Sequence, residues 1–180
     1  MPSTIPFKEE WLLPLTKALI AIARFIFIFA GTGLAAALLF TIIGKPDAFG
    51  SLGEMFVEAG LSYDGRIGMG IVFAVSLGSV FMIERFLKTL KDVIDTVPGE
   101  DPFIPANADR LQTMAILAVS MQSNGLLSTS FSEDVAKLAR ELGLIIEPSI
   151  EGALFALVLF ILARVFRQGS AMREDLEGTV

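Results

Sequence analysis

The sequence predicts an all-α polytopic membrane protein of four transmembrane helices, with short surface helices in the two outer loops. Hydrophobic residues make up 53% of the chain and its mean hydropathy is +0.67, greasier than ordinary soluble usage. Charge-free runs recur, the clearest being residues 25–43 and 152–163. Charged residues gather between such runs, and Lys and Arg divide unevenly over the two sides that four crossings create.

Composition excludes much chemistry. The chain has no Cys and no His, which removes disulfides, thiolates, imidazole bases and nearly every zinc, haem or iron–sulfur ligand set. No metal site and no cofactor is expected. A net charge of −6 gives no basic surface for nucleic acid, so no direct nucleic-acid partner is expected either. The aqueous segments are too short for a second core, which makes residues 1–180 one membrane domain. No repeat of 20 to 50 residues is visible, so an inverted-repeat transporter is not suggested.

The first span is expected at 18–43, with Trp11 and Pro14 at the interface. Its surplus length can be absorbed by tilt or by Arg24 reaching the headgroups. The run is too long for a signal peptide and is expected to be retained. Gly44, Lys45 and Pro46 end this span, and the apolar spacing of residues 51–60 predicts a short surface helix in the first outer loop.

The second span is expected at 66–84, where Gly70, Ala74 and Gly78 form a small-residue face for close helix packing. Gly33 and Ala37 offer a similar face on the first span. Arg85, Lys88 and Lys91 then make a basic helical segment that Pro98-Gly99 breaks. In the following loop, prolines push Asp101 and Ile104 toward extended geometry and Asn107 is positioned to cap the next helix.

The third span, 111–128, is the most polar. Thr113, Ser120 and Asn124 share a stripe expected to face the bundle and bond across helices, with Met114, Val119 and Leu126 facing elsewhere. The second outer loop carries SEDVAKLARELG, an amphipathic surface helix with Ser132 as N-cap and Gly143 as stop. The fourth span is expected at 148–167, followed by a cytoplasmic tail, 168–180.

The basic residues set the orientation. With both termini inside, Lys8, Lys17, Arg24, Arg85, Lys88, Lys91, Arg110, Arg164, Arg167 and Arg173 count ten inward, against Lys45, Arg66, Lys137 and Arg140 outside. Arg24 then falls in the inner leaflet. A charge there needs a partner or a route to the interface, and Glu84, ending span two on the same side, is expected to form an intramembrane pair with it.

Two stretches resemble a known family: the loop D-P-F-I-P-x-N-x-x-R-L (residues 101–111) and the ending from Leu159 to Val180. They resemble the bacterial four-span membrane proteins grouped as domain of unknown function twenty-nine seventy-five. Asp101, Pro102, Phe103, Asn107, Arg110 and Leu111 match the loop motif, and Arg164, Phe166, Gly169, Glu177 and Gly178 match the tail. Asp109 and Gln112 depart from it, standing where members carry further basic residues. The resemblance implies a multi-pass protein of the bacterial inner membrane with both termini cytoplasmic. It further implies regulation rather than catalysis, because members often form the membrane half of a pair with a small helix-turn-helix regulator.

Three functional classes follow. The first is a regulatory or interaction protein whose cytoplasmic face docks a soluble partner through Asp101, Pro102, Phe103, Asn107, Arg110, Arg164, Arg167 and Arg173. The second is a small channel or transporter using Arg24, Glu84, Glu147, Glu151 and the polar stripe of span three. The third is an accessory subunit of a larger membrane complex, or a homo-oligomer, using the small-residue faces. An enzyme is disfavoured, since no catalytic residue set, nucleophile–base pair, metal cluster or phosphate loop is present.

Overall fold

The computed structural model describes residues 11–43, 54, 58, 63–97, 102–127 and 132–177. Among the described residues there are helices and connecting turns and no strand. The helices are α1 (Leu12–Ile43), α2 (Tyr63–Ile94), α3 (Pro105–Leu127), α4 (Glu133–Glu141) and α5 (Ile150–Glu177). The surface helix expected over 51–60 lies outside the described residues except for Glu54 and Glu58, which are helical and exposed.

Local chemistry sets the helix ends. Pro14 falls in the first turn of α1, where no backbone N–H needs an intrahelical acceptor, so the helix starts at Leu12 rather than at 18. α2 continues through the basic segment beyond Glu84 and ends in the turn at 95–97, ahead of Pro98-Gly99. α3 opens with Pro105, a residue pre-set for the first helical position. α5 is capped by Ser149, whose hydroxyl accepts the Gly152 amide at 3.0 Å. At 32 residues each, α1 and α2 are about 48 Å long. α1 and the Ile67–Ile94 part of α2 are long and apolar enough to cross a membrane.

α1 packs on α2, α2 on α3, and α3 on α5, so α2 is the shared element. Two cores are stacked along it. In one, Met69, Val72 and Phe73 of α2 meet Val135, Leu138 and Ala139 of α4, with Leu34, Ala37 and Leu38 of α1 packed alongside. In the other, Leu111, Met114, Ala115 and Ala118 of α3 meet Ala156, Leu159 and Ala163 of α5, with Phe86 and Leu90 of α2 against them.

The amphipathic pattern of α4 therefore serves a protein contact: its apolar face is clamped over the first turns of α2. Its stop is a left-handed Gly143 at φ +66°. The Gly143 amide donates to Arg140 and the Leu144 amide to Ala139, both at 2.9 Å, which satisfies the last carbonyls. Ser132 occupies the N-cap position, but its hydroxyl makes no capping bond.

Two packing expectations are corrected. On α3 the expected faces hold only in part: Val119 is exposed as expected, but Met114 is buried, whereas Thr113 is exposed and Ser120 half-exposed. Their hydroxyls donate to Asp109 O and Ile116 O of the same helix, each at 2.9 Å, and so need no partner across the interface. Alanines take the contact instead, because they let the backbones approach. On α2, Gly70 faces Thr41, but Ala74 is exposed and both Gly78 and Gly33 look into open space. The close approach of α1 falls at Gly31, where an added Cβ would lie 3.2 Å from Val80.

Candidate functional site

The helices bring most of the expected partner-binding residues to one end of the molecule. Asn107 is the centre of that end, at 0% exposure. Its Nδ2 donates to Thr96 Oγ1 and to the Pro102 carbonyl, both at 2.8 Å, and its Oδ1 accepts from Arg110 Nη1 at 2.8 Å. Asn107 is thus not the cap of α3, which already begins at Pro105; it ties the end of α2 to the loop and to α3. A buried amide with partners on both its ends is stabilising, whereas an unpaired one is costly.

Phe103 lies on α5. Its Cδ1 would be 2.8 Å from a Cβ added at Gly169, so only glycine admits the ring there. The ring also meets Phe166, with centroids 4.8 Å apart and planes at 35°. Phe103 remains 40% exposed. Beside it, Arg167 Nη2 donates to Asp109 Oδ1 and Gln112 Oε1, both at 2.9 Å. Asp109 and Gln112 of α3 therefore hold Arg167 of α5.

The other expected residues divide. Pro102 and Arg173 are half-buried, and Arg164 is exposed with no hydrogen bond or ion pair among the described residues. Asp101 lies outside the described residues. At the same end, Asp95 bridges Lys17 at 2.7 Å and Lys91 at 2.6 Å. The bonds from Lys17 and then Lys91 hold its carboxyl down to about 2.

Arg24 and Glu84 meet between α1 and α2. Arg24 Nε donates to Glu84 Oε1 at 2.8 Å and Nη2 donates to the same oxygen. Both side chains are half-buried. At the opposite end from Asn107, the Ser149 amide donates to Gln122 Oε1 at 3.2 Å and Gln122 Nε2 donates to Ser149 O at 3.4 Å, joining α3 to the start of α5.

Thr96, Gln122 and Ser149 went unread as site residues. Nothing local marks Thr96, whose hydroxyl matters only because a loop folds Asn107 back onto it. Among the described residues no group of three or more Asp or Glu could hold a metal ion. No family model, curated protein or solved structure matches this chain.

Proposed function

We propose that the chain is a four-span protein of a bacterial inner membrane, with both termini cytoplasmic, whose cytoplasmic face docks a soluble partner. Support for the membrane comes from the surface. Phe25, Phe29, Ile43, Leu157 and Ile161 are among many large apolar side chains left exposed, more than a soluble monomer tolerates. α1 and α2 have the length and apolarity to cross, and α3 with α5 are the two further spans in this reading.

The observation that carries docking is the preassembled junction of loop and tail: Phe103 seated on Gly169 and Phe166, beside the Arg167 bridge and above the buried Asn107. Such a junction presents an exposed aromatic, a residue type that anchors protein interfaces, and Arg164 of the same helix is exposed as well. Resemblance to the four-span family points to a helix-turn-helix regulator as the partner. Arg24 and Glu84 neutralise each other at a helix contact, which favours a structural duty for them over a pore.

Arg110 braces Asn107, so the informative substitution is Phe103→Ala with Arg164→Ala. This double variant should keep its membrane abundance and lose its soluble partner on copurification. Asn107→Ala serves as the control, because it should lower abundance by removing a buried hydrogen-bond centre. A double variant that retains every soluble partner overturns the docking reading.

A further inference from the structure

Among the described residues, α2 is packed on three sides. Val80 and Glu84 face α1, Met69, Val72 and Phe73 face α4, and Phe86 and Leu90 face the α3–α5 seam. The fourth side carries Ile71, Ala74, Gly78, Phe81, Arg85 and Lys88, at alternating steps of three and four that keep them on one face. Ala74 is exposed, and a Cβ added at Gly78 would meet nothing within 4 Å. Phe81 stands out beside this shallow hollow at 71% exposure.

The apolar part of this face ends at a pair of cations. Arg85 and Lys88 are exposed, and neither makes a hydrogen bond or ion pair among the described residues. Other cations at this end are engaged within the fold: Lys17 and Lys91 with Asp95, Arg24 with Glu84, Arg110 with Asn107 and Arg167 with Asp109. Asp92 lies about 6 Å beyond Lys88 on the same face, half-buried and bridged to neither cation. The order along the face defines its occupant, which must be apolar over Ile71 to Phe81 and anionic at Arg85 and Lys88. A second copy in the same membrane orientation does not fit, because a two-fold contact here would set Arg85 against Arg85 and Lys88 against Lys88. An acidic phospholipid does fit. Its acyl chains already fill the leaflet, so only the headgroup has to be recognised, and a guanidinium beside an ammonium suits phosphate oxygens.

Resting on the four-span reading, which ends span two at Glu84, we infer that this face of α2 binds an anionic phospholipid of the inner leaflet. Its chains lie along Ala74, Gly78 and Phe81, and Arg85 and Lys88 hold its phosphate at the headgroup level. The site is on the side of α2 turned away from the α3–α5 seam, and so is separate from the junction at Phe103.

The full chain, purified in mild detergent, is mixed with equal amounts of phosphatidylglycerol and phosphatidylcholine, and bound lipid is counted by native mass spectrometry. The parent should hold phosphatidylglycerol in preference, and Arg85→Gln with Lys88→Gln should cut that preference by at least about tenfold, at roughly fivefold per basic residue. Lys88→Gln alone, at about fivefold, serves should the double variant not accumulate. Arg85→Lys with Lys88→Arg should retain the preference. Lys137→Gln with Arg140→Gln removes the same charge from exposed positions on α4 and should leave it intact. If the α4 pair lowers the preference as much as the α2 pair, net charge selects the lipid and the proposal is overturned. It is also overturned if the parent binds both lipids alike, or if the mass shows a second copy or another protein on a chain whose lipid preference ignores Arg85 and Lys88. A parent extracted without detergent would bring down the membrane reading and the lipid site with it, whereas a detergent-requiring parent with no preference brings down the site alone.

Discussion

The α3–α5 pair and the α1–α2 pair are both antiparallel helix hairpins in space, yet they are held by opposite means. Between α3 and α5 the seam is built of Ala115, Ala118, Ala156 and Ala163, with polar clamps at both ends: Arg167 on Asp109 and Gln112, and Gln122 on Ser149. Between α1 and α2 there is little burial on the α1 side, where Ile20 is its one buried residue. Register there is set by charge, through Lys17 with Asp95 and Arg24 with Glu84. Small side chains let backbones approach and gain dispersion along their whole length, while bulky ones leave the helices apart and put the burden on a few polar contacts. The first pair should therefore break by overpacking and the second by loss of charge.

The largest effect is expected at the alanine seam. Ala115 is fully buried, so Ala115→Leu must push α3 from α5 and should destabilise the fold by about 2 kcal/mol, as overpacked interiors do. Denaturant titration in detergent, followed at helix content, measures this directly. The same exchange at exposed Ala74 on α2 should be nearly silent; equal losses at both positions would remove the distinction between a tight seam and an open face.

A smaller effect belongs to the charge pair. Arg24→Gln and Glu84→Gln each leave a half-buried partner behind, and a double-mutant cycle should return a coupling of about 1 kcal/mol, kept low by the partial exposure of both groups. Additive losses would mean that α1 is held by its apolar contacts alone.

The two hairpins also differ in how far they could be read from sequence. Arg24 and Glu84 were legible as a pair because each is a charge beside a long uncharged run, and topology leaves them few other neighbours. Helix existence was legible for the same reason, and Gly143 announced the end of α4 through its lack of a Cβ. The inward face of α3 was not legible. A hydroxyl that bonds its own helix at i−4 looks, in sequence, like one that reaches across, and only the packing of alanines decides between them. Asn107 was recognised as important but misassigned. Its spacing suits a cap, whereas its partners, Thr96 and Pro102, are brought to it by a loop whose path no local pattern encodes. The small-residue face was legible only in part: Gly70 meets Thr41 as the spacing suggests, but Gly78 and Gly33 face open space and closer approaches fall at Gly31 and Gly68.

The smallest expected effect isolates the charge contacts at the exposed end of α1–α2. Folding lowers the Asp95 carboxyl from 3.8 to about 2, chiefly through the Lys17 bond and next through Lys91. A group with a depressed pKa stabilises the folded state fully above its unfolded value and loses that contribution as pH falls through the folded one. The Lys17–Asp95 contact should thus hold from neutrality to about pH 4 and be lost between there and about pH 2, and added salt should weaken it throughout because it is solvent-exposed. Amide-exchange protection in the first turns of α1, measured at pH 5 and again near pH 2, reads this contact locally. Protection should fall on acidification in the parent chain, whereas Asp95→Asn should begin at the lower level and change less. If Asp95→Asn loses as much protection on acidification as the parent, other carboxylates govern this end, and charge sets the α1–α2 register at Arg24 and Glu84 alone.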